Sequence, residues 1–89
     1  VVDDTGFRAE MATRGCPVTT WGNGPGDRYA PHAHEYGKVL LCLQGSITFH
    51  TGEGETTLAE GDRLELAAGV LHSATVGPAG VRCAEAHLR

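Results

Sequence analysis

The chain alternates apolar and polar residues in stretches of four to eight, and Gly, Pro, Asn or Asp residues close nearly every stretch. Between these breaks lie FRAEMAT, PVTTW, RYAPHAH, KVLLCL, SITFH, TTLAE, RLELA, LHSATV and VRCAEAHL. A period of two marks a strand with one buried face, and short strands separated by evenly spaced turn signals belong to sandwiches and barrels. Turns are expected at NGPGD (23–27), EYG (35–37), QG (44–45), TGEGE (51–55), AEGD (59–62), AAG (67–69) and GPAG (77–80). No window keeps helical spacing for the ten or so residues a helix needs, because Gly or Pro interrupts each one. The segment GVRCAEAHLR is rich in helix-favouring Ala and Leu, yet it is assigned to a strand because a barrel needs a closing partner there. The expectation is an all-β chain of about nine short antiparallel strands in a single domain, residues 1–89.

Composition narrows the class of function. With 40% hydrophobic and 20% charged residues the chain reads as globular, and no apolar run approaches the roughly 20 residues that cross a bilayer, so no membrane association is expected. The formal net charge is −4 and the seven Lys and Arg are scattered singly, which argues against a nucleic-acid partner. Cys16, Cys42 and Cys83 form no CxxC pair and imply neither a disulfide framework nor a zinc knuckle. Cys42, inside VLLCL, reads as a small buried hydrophobe, and the reducing cytosol is the natural compartment. The opening VVDDTGFRAE lacks the basic-then-apolar pattern of a secretory signal; it starts on Val rather than Met, which leaves the true start open.

The candidate chemistry lies in the histidines. In a strand, residues i and i+2 share a face, so His32 and His34 project together with Cα atoms about 6.6 Å apart and can grip one ion. His72, opening LHSATV after a turn, is the natural third ligand. Three neutral imidazoles leave coordination positions open on a divalent metal, Zn, Fe, Ni, Mn or Cu, as a working site requires. On the HxH pair alone, a surface accident or two satisfied structural histidines explain the pattern better than a metal site.

The wider spacing adds to this. Gly26, His32, His34, Lys38 and Gly45 are separated by five, one, three and six residues; Gly61, Ala67, Gly69, His72 and Val76 by five, one, two and three. These two runs resemble the two motifs of the cupin superfamily, with Lys38 where Glu is usual, Ala67 where Pro is usual and Val76 where Asn is usual. The resemblance covers essentially the whole chain. It implies a small jelly-roll β-barrel that holds a metal inside through His32, His34 and His72, and cupins often pair as homodimers through open sheet edges.

Lys38 changes the expected chemistry. An ammonium offers three donors and no lone pair, so it does not coordinate while protonated. Three arrangements follow: the side chain reaches solvent, it sits neutral beside the ion, or the site binds an anion without metal. The flexible stem and the nearby barrel mouth favour the first. Cys42 lies on the same face as Lys38 but too far along the strand to replace a ligand. The cupin resemblance implies that the last strand runs antiparallel beside the one starting at Lys38, bringing toward the metal a face shared by Glu85 and His87, so His87 is a candidate fourth ligand or supporting group. His50 faces opposite Ile47 and Phe49, toward solvent, and Trp21, Tyr29 and Tyr36 either line a pocket mouth or simply pack. No Ser-His-Asp set, phosphate-binding loop or carboxylate pair is present. The expected function is binding of a divalent metal and a small organic molecule, as in a metal-dependent dioxygenase or isomerase, or as a non-catalytic sensing module.

Overall fold

The structure is a computed structural model and describes residues 2–88. One helix, α1 (Thr5–Thr13), precedes six strands: β1 (Val18–Asn23), β2 (Arg28–His32), β3 (Lys38–Thr51), β4 (Gly54–Leu58), β5 (Arg63–Leu66) and β6 (His72–His87). All pairings are antiparallel. The two long strands, β3 and β6, run side by side, and each carries two different partners along its length. β5 pairs with the first half of β3 and β4 with the second. β2 pairs with the first half of β6 and β1 with the second. The chain is therefore a jelly roll in which one six-stranded antiparallel sheet is built around two long continuous strands.

Six strands replace the nine expected: one expected strand is helix α1, and two are lost because glycines taken as turns lie inside strands. KVLLCL and SITFH are one strand, as are LHSATV and VRCAEAHL; QG and GPAG lie inside strands. Gly45 has φ +75°, and a Cβ there would run into the Gly80 carbonyl on the neighbouring strand. The register of β3 against β6 shifts between Cys42 and Gln44 and again between Gly45 and Ile47. A bulge of this kind bends a strand without ending it, and glycine permits the close approach.

The bulge also switches which residues face inward. On β3 the interior takes Leu40 and Cys42 before it, Ile47 and Phe49 after it; on β6 it takes Ala74 and Val76, then Val81 and Cys83. Parity changes in both strands at the same level, so the alternation of each half continues to serve one core. Cys42 and Cys83 are register partners and both fully buried, and the three cysteines are free. Burial, followed by the neighbouring Cys42, pushes the Cys83 thiol up to about 12.

FRAEMAT, expected as a strand, belongs to α1. Phe7 and Met11, one turn apart, bury against Val39, Leu41, Ala84 and Ala86 on the outer face of the sheet. Arg63 ties the helix down with a bidentate pair to Glu10 at 3.0 and 2.9 Å while lying over the Phe7 ring. This cover explains why VLLCL is apolar at every position: the strand is buried on both faces, by the core inside and by α1 outside. Two buried side chains are too few to make a helical period in the sequence, so the pattern did not declare itself.

Candidate metal centre

His32 ends β2 and His72 begins β6, directly opposite each other in register. His34 lies two residues beyond the end of β2, so it shares the site with His32 from a loop rather than from the same strand. That loop is held by the Gly69 amide, which donates to the His34 carbonyl at 2.8 Å and joins the two motif turns. The three imidazoles each offer a nitrogen within 4.8 Å of the others. Ring centroids are 4.4 Å apart for His32 and His72, 4.7 Å for His32 and His34, and 5.4 Å for His34 and His72.

The backbone sets the direction of two rings. His32 Nδ1–H donates to the Ala30 carbonyl at 2.7 Å, and His72 Nδ1–H donates to the Val70 carbonyl at 3.0 Å. Each bond places the proton on Nδ1 and leaves a lone pair on Nε2, the support that metal-ligating histidines commonly have. His34 is braced differently, by stacking on Tyr36 at 4.9 Å. The Nε2 atoms of His34 and His72 are buried and have no hydrogen-bond partner among the described residues. Burial, then the positive charges of Lys38 and the neighbouring imidazoles, hold His34 below the usual histidine range; burial most of all does the same for His72, aided by His32 and Lys38. Both rings are thus biased toward the neutral form, which is the form that coordinates. A three-imidazole donor set with two buried, unpartnered nitrogens fits a divalent cation.

Lys38 does not reach solvent. It is 9% exposed, on the same inward face as Leu40 and Cys42, and its Nζ lies 3.3 Å from Glu85 Oε1. The alternation of β3 carries it inward, and the Glu85 carboxylate offsets the charge. Glu85 faces inward on the same parity as Val81 and Cys83; its Oε1 also accepts from Trp21 Nε1 at 3.2 Å and its Oε2 pairs with His87 Nε2 at 3.0 Å. The carboxylate is therefore held from β1, β3 and β6 at once. His87, its side chain half exposed, lies outside the group of three and reaches it through Tyr36, on which it stacks at 4.0 Å. His50 is on the outer face, paired with Glu55 at 3.0 Å.

A cavity of about 290 Å³ adjoins the histidines, lined by Trp21, Tyr29, Tyr36, Phe49, Ala74, Lys38 and Glu85 together with His32, His34 and His72. A larger open depression of about 830 Å³ by β4 and β5 borders only His72 of the three. The smaller cavity is the one the chemistry faces. Glu85 is its most informative unforeseen member: the residue was visible as a neighbour of His87 in the strand pattern, but its place in the cavity depends on the parity change at the bulge of β6.

Residues 20–85 match the family described as AraC-like ligand binding domain. The chain is 37% identical over 67 residues to quercetin 2,3-dioxygenase of Bacillus subtilis, an overlap of 73% of this chain and 20% of that protein. It thus spans one fifth of the length of that relative. A double-stranded β-helix protein of Klebsiella pneumoniae superposes with a TM-score of 0.69 at 28% identity, covering 82% of this chain and 66% of the other. A cupin-2 domain protein of Shewanella frigidimarina superposes at 0.71 with 15% identity, covering 83% and 71%, and shares the fold. With the jelly roll, the two glycine-histidine motifs and this match over most of its length, the chain belongs to the AraC-like ligand binding domain family and so to the cupin superfamily.

Proposed function

We propose that this domain binds one divalent metal ion through His32, His34 and His72 and a small organic molecule in the adjoining cavity. The observation that carries the reading is the pair of buried Nε2 atoms on His34 and His72 with no partner. Leaving a buried polar atom unsatisfied costs about 1–3 kcal/mol, and a cation held between the two nitrogens removes that cost for both. Imidazole donors suit Zn, Fe, Ni and Cu, and Mn where oxygen ligands complete the shell.

Bound there, such an ion supplies Lewis-acid polarisation of a substrate oxygen and, where it is redox-active, electron-transfer capacity. The chain's own residues do the rest. The Ala30 and Val70 carbonyls hold two rings in the coordinating tautomer, and Tyr36 supports the third. Trp21, Tyr29 and Phe49 present apolar surface that excludes water, and Lys38 sets a positive charge beside the site. The likeness to a Bacillus subtilis quercetin 2,3-dioxygenase favours dioxygenase-type chemistry on an oxygenated organic substrate. A ligand-binding module without turnover is the second reading, favoured by the family's description. In either reading the domain works in the cytosol as a homodimer, which would cover the outer edges of β1 and β4, each hydrogen-bonded on one side only among the described residues.

Oxygen uptake separates the two readings. Protein loaded anaerobically with Fe(II), Mn(II), Ni(II) or Cu(II) and then given oxygen and quercetin is expected to consume oxygen, with the rate lost in His34→Ala. Quenching of Trp21, the chain's one tryptophan, by quercetin without any oxygen uptake above the His34→Ala control would leave the binding module and remove the enzyme.

A further inference from the structure

The Lys38–Glu85 pair is unequally satisfied. Glu85 accepts from three partners, Lys38, Trp21 and His87. Lys38 has one acceptor among the described residues, Glu85 Oε1, although an ammonium carries three donors. Its side chain is 11% exposed and lines the cavity beside the histidines. A buried cation with one of its three donors engaged has a strong preference for an anionic oxygen. The flanking surface is aromatic, with Trp21 and Tyr29 meeting edge to face at 5.9 Å, and the cavity of about 290 Å³ lies at the small end of the usual range for ligand pockets, about 300–1,000 Å³.

We propose that the cavity selects a small planar organic acid, with its carboxylate on the spare donors of Lys38 and its unsaturated carbons against Trp21, Tyr29 and Phe49. This rests on the small-molecule reading above and adds the class of molecule. A neutral polyol gains less, because the only carboxylate lining the cavity is already engaged by three donors and Lys38 offers no acceptor to hydroxyl protons. An organic cation meets Lys38 directly. The carboxylate of such an acid would lie beside the three histidines, since Lys38 and the histidines line the same cavity.

Salicylate and salicylamide differ in the required group and little in size. Calorimetric titration of the metal-free protein is expected to give salicylate at least about tenfold tighter binding than salicylamide, the scale of a charge-assisted hydrogen bond. Lys38→Met should abolish that preference. Glu85→Gln should raise salicylate affinity about threefold or more, because Lys38 loses its competing carboxylate, and this variant decides the matter alone if Lys38→Met does not fold. Equal binding of the two probes by the wild type, an unchanged preference in Lys38→Met, or weaker salicylate binding in Glu85→Gln would overturn the proposal. Binding of neither probe at millimolar concentration would overturn it together with the small-molecule reading. Zinc uptake, read separately by competition with a chromophoric chelator, bears on the metal alone, so failure of one reading is distinguishable from failure of the other.

Discussion

Replacing His72 by Ala is expected to erase the metal-linked rise in thermal stability. A ligand that binds only the folded state stabilises it by about 2.7 kcal/mol at a hundredfold excess over its Kd. On a domain of this size each kcal/mol moves Tm by about 4–8 °C, so the wild type should gain about 10–20 °C with saturating zinc. His72 is 3% exposed, its Nε2 has no partner, and its ring is fixed by the Val70 carbonyl; removing it takes away the best-anchored of the three nitrogens. The variant should gain almost nothing from zinc. In the metal-free protein the substitution exchanges an orphaned nitrogen for a small cavity, effects of opposite sign, so the baseline Tm should move much less. Scanning calorimetry of both proteins, with chelator and with zinc, reads the difference directly. A zinc-dependent gain preserved in His72→Ala would place the ion elsewhere.

Gly45→Ala should be the most destabilising single-methyl change in the chain. Its φ of +75° costs an L-residue about 1–2 kcal/mol, and the new Cβ collides with the Gly80 carbonyl of the partner strand, which only a backbone shift of about 1–3 kcal/mol relieves. Together these amount to about 2–5 kcal/mol out of the 5–15 kcal/mol typical of a whole domain. Gly26→Ala is the matched control. Gly26 has φ +74° and open space around the site of a Cβ, so it should lose only the conformational part, about 1–2 kcal/mol. Urea denaturation of the two variants should therefore separate them clearly. Equal midpoints would mean that the close approach of β3 and β6 at the bulge is not what Gly45 serves.

That bulge is also where reading the sequence reached its limit. The alternating runs marked the strands, and the motif spacing brought His32, His34 and His72 to one place, because turn glycines and short apolar repeats are local signals. Whether a glycine turns the chain or lets a strand bend depends on what lies across from it, and Gly80 is 35 residues from Gly45. With both taken as turns, two long strands became four and the parity on either side of the bulge could not be linked. The expectation that Lys38 reaches solvent failed for the same reason: it alternates with Leu40 and Cys42, but the partner that permits its burial, Glu85, is 47 positions away. The helix escaped notice for a related reason, because Phe7 and Met11 bury against strands distant in sequence and leave no period of their own.

On the proposed function, His32, His34 and His72 hold one divalent metal ion. Elemental analysis of untagged protein, purified without added metal, checks this when run beside His34→Ala. His34 contributes one of the two unpartnered nitrogens and makes no hydrogen bond through its ring among the described residues, so the variant should keep its fold. The wild type is expected to carry close to one equivalent of a divalent transition metal per chain, or to take it up on dialysis against zinc, and the variant to carry a small fraction of that. Far less than one equivalent in the wild type after dialysis, or the same content in both proteins, would contradict the account and leave the histidines as the lining of a pocket.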